Sequence, residues 1–205
     1  MRAGTFEAGR QIFVRGDTGR DIYLVRRGRV RLSVLAGDGR TLSFKHAVEG
    51  DVFGEIAALD GGPRTADAIA LTRVEANVLT HEHMQNLIRT HSSVAAAAIK
   101  YICERLRETS ALAEGVALLR IEVRLARFLQ LKVKIANPPA DAVEVPVVLG
   151  ISQHELGLLV GASRQKVNEA LKKLENGGAI KRARGQLLCN PTVLRRVAED
   201  PPAER

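Results

Sequence analysis

The stretch "FGEIAALDGGPRTA" (residues 53–66) sets a carboxylate, Glu55, nine residues before a guanidinium, Arg64, with a short apolar turn and a Gly-Gly-Pro corner between them. Gly54, Glu55, Ile56 and Ala57 are predicted to leave a strand into one helical turn, presenting free backbone N–H groups, while Arg64 returns across the same opening. Free amides beside a guanidinium make an anion site. A carboxylate in the same opening repels a phosphate unless it reads something else, and a hydroxyl donor is its natural partner. A sugar phosphate therefore answers to both charges. The structural alternative is a Glu55–Arg64 ion pair that only closes a loop. Catalysis has less to stand on: the chain shows no nucleophile–base pairing or metal-ligand cluster, and Glu55 with Arg64 has no water-activating partner.

The elements that must hold these charges are strands. From residue 5 to about 82, segments such as "QIFVRG", "DIYLVRRG", "VRLSVLAG" and "TLSFKH" alternate or cluster β-branched and aromatic residues, with Gly16, Gly28, Gly37, Gly39 and Gly50 between them. That rhythm predicts an antiparallel roll or barrel, with "GDG" (37–39) as a hairpin turn. After residue 83 the texture changes. "VAAAAIKYICERLRETSALAEGVALL" carries Ile99, Ile102, Leu106, Thr109, Ala113 and Val116 at alternating spacings of three and four, one stripe of a long helix. A small barrel cannot cover so long a stripe, so it is predicted to pair with a second copy in a parallel homodimer. The alternative is a helix lying on its own barrel. A second helix over 121–134 and the polar loop "ANPPADA" follow.

The last part of the chain is the most regular. Ser152 stands three residues before Glu155, the spacing of a capping box, and opens the helix "SQHELGLLV". Gly161 permits a sharp turn, and Ser163 caps a second helix, "RQKVNEALKKLEN", closed by Gly177-Gly178. Two short helices joined by a three-residue turn form a helix-turn-helix. "AIKRARGQLLCN" then reads as two small strands around Gly185, a wing. Leu156, Val160, Val167, Leu171 and Leu174 are the predicted core, and Arg164, Gln165, Asn168 and Lys172 face outward. Charge agrees with a polyanion at this face. Residues 1–118 hold 16 basic against 14 acidic side chains, whereas residues 119–200 hold 14 against 8, so most of the net charge of +8 lies in the C-terminal part.

Two cysteines, Cys103 and Cys189, lie far apart and cannot supply a zinc ribbon or a four-thiolate cluster. The N-terminus "MRAGTFEAGR" lacks the apolar core of a signal peptide, and no stretch reaches ~18 uncharged apolar residues. A cytoplasmic protein without a membrane partner is expected.

"FGEIAALDGGPRTA", "RLRETS" and "ELGLLVGASRQKVNEALKKLENGGAI", in the order roll, long helix, winged helix-turn-helix, resemble the cyclic AMP receptor protein/FNR (Crp/Fnr) superfamily of bacterial transcription regulators, from about residue 5 to 190. The resemblance implies an α+β chain. A cyclic-nucleotide-binding β-roll (jelly roll) spans 1–92, a long dimerisation helix and hinge 93–119, and a winged helix-turn-helix 120–205. It implies that Glu55 takes the ribose 2′-hydroxyl and Arg64 the cyclic phosphate, with Gly54, Ile56 and Thr65 beside them. Arg105 adds a basic contact from the long helix, and Thr109 and Ser110 meet the base. It further implies no cofactor beyond an effector, cyclic AMP, and as partners double-stranded DNA with a palindromic operator, and RNA polymerase. DNA contacts fall to Ser152, Gln153, Ser163, Arg164, Gln165, Lys166, Asn168 and Lys172, with Lys173 and the wing residues Arg182 and Arg184 as further phosphate contacts. Arg164 matches a base-reading arginine, whereas Gln165 and Glu169 depart from the receptor's own residues, so a different target sequence is expected.

Other departures are the short N-terminus and Arg120, where the family caps the second helix with Asp, Ser or Thr. Within the superfamily, iron–sulfur sensing fails on the cysteine count. Haem sensing would need the histidines, of which His81 and His83 share a face only if extended, and the intact cassette opposes it. A regulator whose cassette is vestigial, ligand-independent or tuned to another signal, is the alternative function.

Overall fold

A computed structural model describes residues 1–139, 142–183 and 185–199. The chain divides into two compact units, one from Met1 to Thr109 and one from Ser110 onward. The first contains β1 (Arg2–Phe6), β2 (Gln11–Phe13), β3 (Ile22–Arg27), β4 (Val30–Leu35), β5 (Thr41–Ala47), β6 (Val52–Phe53), α1 (Glu55–Asp60), β7 (Asp67–Ala70), β8 (Val74–Leu79) and α2 (His81–Thr90). It also holds most of α3 (Ser92–Leu118).

The strands form two four-stranded sheets, β1-β8-β3-β6 and β2-β7-β4-β5, in which every pair is antiparallel. Alternation explains the inner faces: in β8, Val74, Ala76 and Val78 are buried, and the residues between them are more exposed. Aromatic rings fill the core next to the future site, with Tyr23 stacked on Phe53 at 4.9 Å and Phe13 5.9 Å from each. The predicted hairpin joins β4 to β5, closed by the Ala36 N–H donating to the Arg40 carbonyl at 2.8 Å; of its two glycines, Gly39 takes the left-handed φ of 82°. His81 and His83 are not extended. Thr80 caps α2, so two residues' spacing turns them about 200° apart around a helix, and they present no shared face to an iron.

The second unit contains α4 (Ile121–Ile135), β9 (Val145–Val147), α5 (Gln153–Val160), α6 (Arg164–Asn176), β10 (Ile180–Ala183), β11 (Gln186–Cys189) and α7 (Pro191–Ala198). Leu156, Val160, Val167, Leu171 and Leu174 are all buried, together with Leu125, Leu129 and Val133 of α4 and Leu194 of α7. The predicted caps form: the Ser152 hydroxyl accepts from the Glu155 N–H, and Ser163 from the Lys166 N–H. Arg120, the N-cap of α4, makes no side-chain cap hydrogen bond. The wing is wider than predicted, a three-stranded sheet β10-β11-β9. Pro146 hides β9 in the sequence, because a proline cannot donate to a ladder; the strand lies at the sheet edge, where that loss is tolerated.

The turn between α5 and α6 depends on one residue. A Cβ at Gly157 would come within 2.6 Å of the Ala162 carbonyl oxygen. Arg124 of α4 fixes the same turn, its Nη1 donating to the carbonyls of Val160 and Gly161 at the C-terminus of α5, where a cation also favours the helix dipole. Gly157→Ala must therefore push the turn apart. The expected loss is about 1–3 kcal/mol, as for other overpacked cores, read as an earlier urea midpoint with an unchanged slope.

Candidate functional site

The cassette encloses a cavity of about 270 Å³ between the β-roll and α3, lined by Phe13, Leu32, Phe44, Lys45, Gly54, Glu55, Ile56, Ala57, Arg64, Thr65, Ala66, Arg105, Glu108 and Thr109. Arg64 is only 3% exposed. Its backbone is clamped by the preceding loop, with its N–H donating to Asp17 and its carbonyl accepting from Gly16, both at 2.8 Å. Its guanidinium lies 4.2 Å over the Phe13 ring and donates through Nη1 to the Gly54 carbonyl at 2.7 Å. Nε is buried without a hydrogen-bond partner. Burial pulls its pKa down, against the opposing effect of Tyr23, Asp21, Asp17 and Glu55.

Glycine at position 54 serves this packing twice. Its φ of 77° is left-handed, and a Cβ there would stand 2.6 Å from Arg64 Nη1. The residue is also the N-cap of α1, with no side chain occupying the helix's first amides. Glu55 follows as the first residue of α1, and burial raises its carboxyl above the ordinary value, against its own backbone N–H, Arg105, Lys45 and Arg64. Among the described residues no hydrogen bond or ion pair joins Glu55 to Arg64, so the loop-closing alternative is not the arrangement found. A buried cation without a counter-ion is costly, and an anion in the cavity would complete it.

From α3, Arg105 donates to Glu108 at 2.7 Å and lies 5.3 Å from the Tyr101 ring; its Nε is buried without a partner. The Tyr101 hydroxyl donates to the Val52 carbonyl at 2.7 Å, tying α3 to the strand that leads into the cassette. Burial raises the Tyr101 pKa, with the Glu55 charge adding to it. Thr65 and Thr109 line the cavity; Ser110, the next residue, is not among the lining residues.

In the second unit, Arg164, Gln165, Asn168, Glu169 and Lys172 line one shallow hollow on α6. Arg164 stands at the first position of that helix and is exposed. Gln165 donates to Glu169 at 3.0 Å, which holds its amide along the helix. Lys173 and Arg182 are engaged within the unit, with Glu122 at 2.6 Å and Glu175 at 3.2 Å. Lys166 and Lys172 are exposed and carry no ion pair among the described residues. Arg184 lies outside the described residues.

Two family models match the chain, a cyclic nucleotide-binding domain over residues 4–91 and a Crp-like helix-turn-helix domain over residues 123–197. The chain is 32% identical over 180 residues to the cyclic AMP receptor protein of Thermus thermophilus, a match covering 86% of this chain and 78% of that one. The chain belongs to the Crp/Fnr family of transcription regulators.

Another Crp/Fnr relative, the CRP-like cAMP-activated global transcriptional regulator of Mycobacterium tuberculosis, is 29% identical over 177 residues, with 86% of this chain and 78% of that one covered. The solved structure of FixK2 from Bradyrhizobium japonicum is similar in fold, with a TM-score of 0.82 at 20% identity over 97% of this chain and 98% of that one. The Crp/Fnr assignment makes the chain a DNA-binding transcription regulator rather than an enzyme. No helix among the described residues is long and apolar enough to cross a membrane.

The structure thus brings Gly54, Glu55, Ile56, Arg64, Thr65, Arg105 and Thr109 to one cavity, and Arg164, Gln165, Asn168 and Lys172 to one helix face. Phe13, Lys45, Tyr101 and Glu108 were not foreseen. Glu108 could have been noticed, since it follows Arg105 by three residues and so shares its face of the helix.

Proposed function

We propose that this regulator binds cyclic AMP and, as a homodimer, a palindromic operator in the cytoplasm, where it acts with RNA polymerase. The observation that carries the reading is Arg64: a guanidinium 3% exposed, without an ion-pair partner among the described residues, at the wall of a cavity that also holds Glu55. A phosphate on Arg64 supplies the missing counter-charge, and a ribose 2′-hydroxyl donates to Glu55. Thr109, and Ser110 next to it, are the residues for the base. Calorimetry with cyclic AMP and cyclic GMP tests this. Heat and stabilisation with cyclic AMP support it, tight cyclic GMP with weak cyclic AMP changes the ligand, and no response to either at millimolar concentration leaves a vestigial cassette.

The DNA reading makes a paired prediction. Arg164 and Gln165, with Asn168 one turn on, offer base-reading side chains at the start of a recognition helix, and a guanidinium pairs bidentately with guanine O6 and N7. Lys166 and Lys172 suit phosphates; Ser152, Gln153 and Ser163 lie at helix starts, where backbone amides also meet phosphates. Arg164→Ala is expected to cost about 1–3 kcal/mol on the cognate site and to relax one base pair per half-site. Lys172→Ala is expected to weaken all sequences alike and to flatten the salt slope by about one unit. Selection from random duplexes reads both, and a palindrome that Arg164→Ala leaves unchanged would remove Arg164 from base recognition.

A further inference from the structure

We propose that Glu108 sets the charge of the ligand: by holding Arg105 it leaves Arg64 as the single unpaired cation among the described residues lining the cavity, so the site takes a monoanionic phosphodiester and turns away a dianionic phosphate monoester. This inference rests on the cyclic-nucleotide reading and extends it to the ligand's charge.

Three cations line the cavity, Lys45, Arg64 and Arg105. Lys45 is ion-paired with Asp51, and Arg105 with Glu108 at 2.7 Å. Arg64 has its ring and its carbonyl, and no carboxylate. One negative charge therefore meets the one lining guanidinium that has no carboxylate partner among the described residues, with Glu55 left to accept from a hydroxyl. A second negative charge has no cation to meet unless Arg105 is drawn off Glu108, and until then two carboxylates, Glu55 and Glu108, repel it. A 3′,5′-cyclic phosphodiester carries one charge at neutral pH. A phosphate monoester, with a second pKa near 6, carries close to two.

The Arg105–Glu108 pair is poorly explained as architecture. It joins residues three apart on one helix, and the Glu108 side chain is 59% exposed, so it adds little to the fold. Its place at the cavity wall, beside Thr109, gives it a consequence for what enters.

The test compares cyclic AMP with 5′-AMP by calorimetry on the full chain. Wild type should prefer cyclic AMP. Glu108→Gln frees the Arg105 guanidinium and should narrow the preference about tenfold, by tightening 5′-AMP more than cyclic AMP. The double variant Glu108→Gln/Arg105→Gln should return the ratio towards wild type, because the gain requires the freed cation. Thermal melts of each variant confirm folding. An unchanged ratio in Glu108→Gln, a gain that survives loss of Arg105, or wild type binding both nucleotides equally overturns the proposal while leaving the cyclic-nucleotide reading intact. Failure of wild type to bind either overturns both.

Discussion

Arg64→Leu is expected to abolish cyclic AMP binding while leaving the protein folded. Truncating one partner of a buried charge pair costs roughly 2–5 kcal/mol, which is about 30-fold to several-thousandfold in affinity. The effect on the ligand-free protein should be small by comparison. In that state the guanidinium is a buried cation without a counter-ion, so removing it relieves a desolvation cost while losing one hydrogen bond to the Gly54 carbonyl and the contact with Phe13. Thermal melts separate the two effects. Wild type should gain about 2.7 kcal/mol at a ligand concentration one hundred times Kd, whereas Arg64→Leu should melt at the same temperature with and without ligand. Arg64→Lys makes the result sharper: it keeps the charge but loses the planar fork that reaches Gly54 while stacking on a ring, so it too should bind poorly. If Arg64→Leu bound cyclic AMP as wild type does, the phosphate would have to sit elsewhere.

What the sequence carried was local. Ser152 and Ser163 announce their helices because a cap needs only a side chain and an amide three residues on, and the turn glycine at 161 takes its left-handed φ of 65° as a short connection requires. Glu55 and Arg64 were legible for the same reason, being nine residues apart in one corner. What the sequence could not carry was who stands across from whom. Phe13 lies under Arg64 from a strand some fifty residues earlier, and Tyr101 reaches the Val52 carbonyl across a similar distance. Nothing in local spacing predicts either. The same blindness applies to charge: Lys173 and Arg182 look free in a basic segment, yet the fold sets Glu122 and Glu175 beside them. Counting basic residues therefore overstates the number left unpaired, and on α6 Lys166 and Lys172 are the exposed lysines without an ion pair among the described residues.

Leu106→Lys is expected to have the largest effect on operator binding, although Leu106 touches neither nucleotide nor DNA in the proposed mechanism. Along α3 only Gly115 is buried, and Ile99 and Leu106 are each 66% exposed. So much apolar surface on a 27-residue helix, repeating at spacings of three and four, is what the proposed homodimer would use as its seam. A lysine at Leu106 would bring two ammonium groups together in that seam and desolvate both, a cost of several kcal/mol. In the single chain the same lysine costs almost nothing, since its stem lies along the helix and its head stays in water. The variant should therefore fold normally and sediment as a monomer, where wild type is expected to sediment as a dimer at micromolar concentration. Operator binding should then fall by about 10²–10⁴, because two linked half-site contacts become one. Cyclic AMP binding should survive in part, since Glu55, Arg64 and Arg105 line a cavity within one chain. A wild-type monomer at micromolar concentration would show that the exposed stripe has another partner, and a Leu106→Lys dimer would place the seam on a different face of α3.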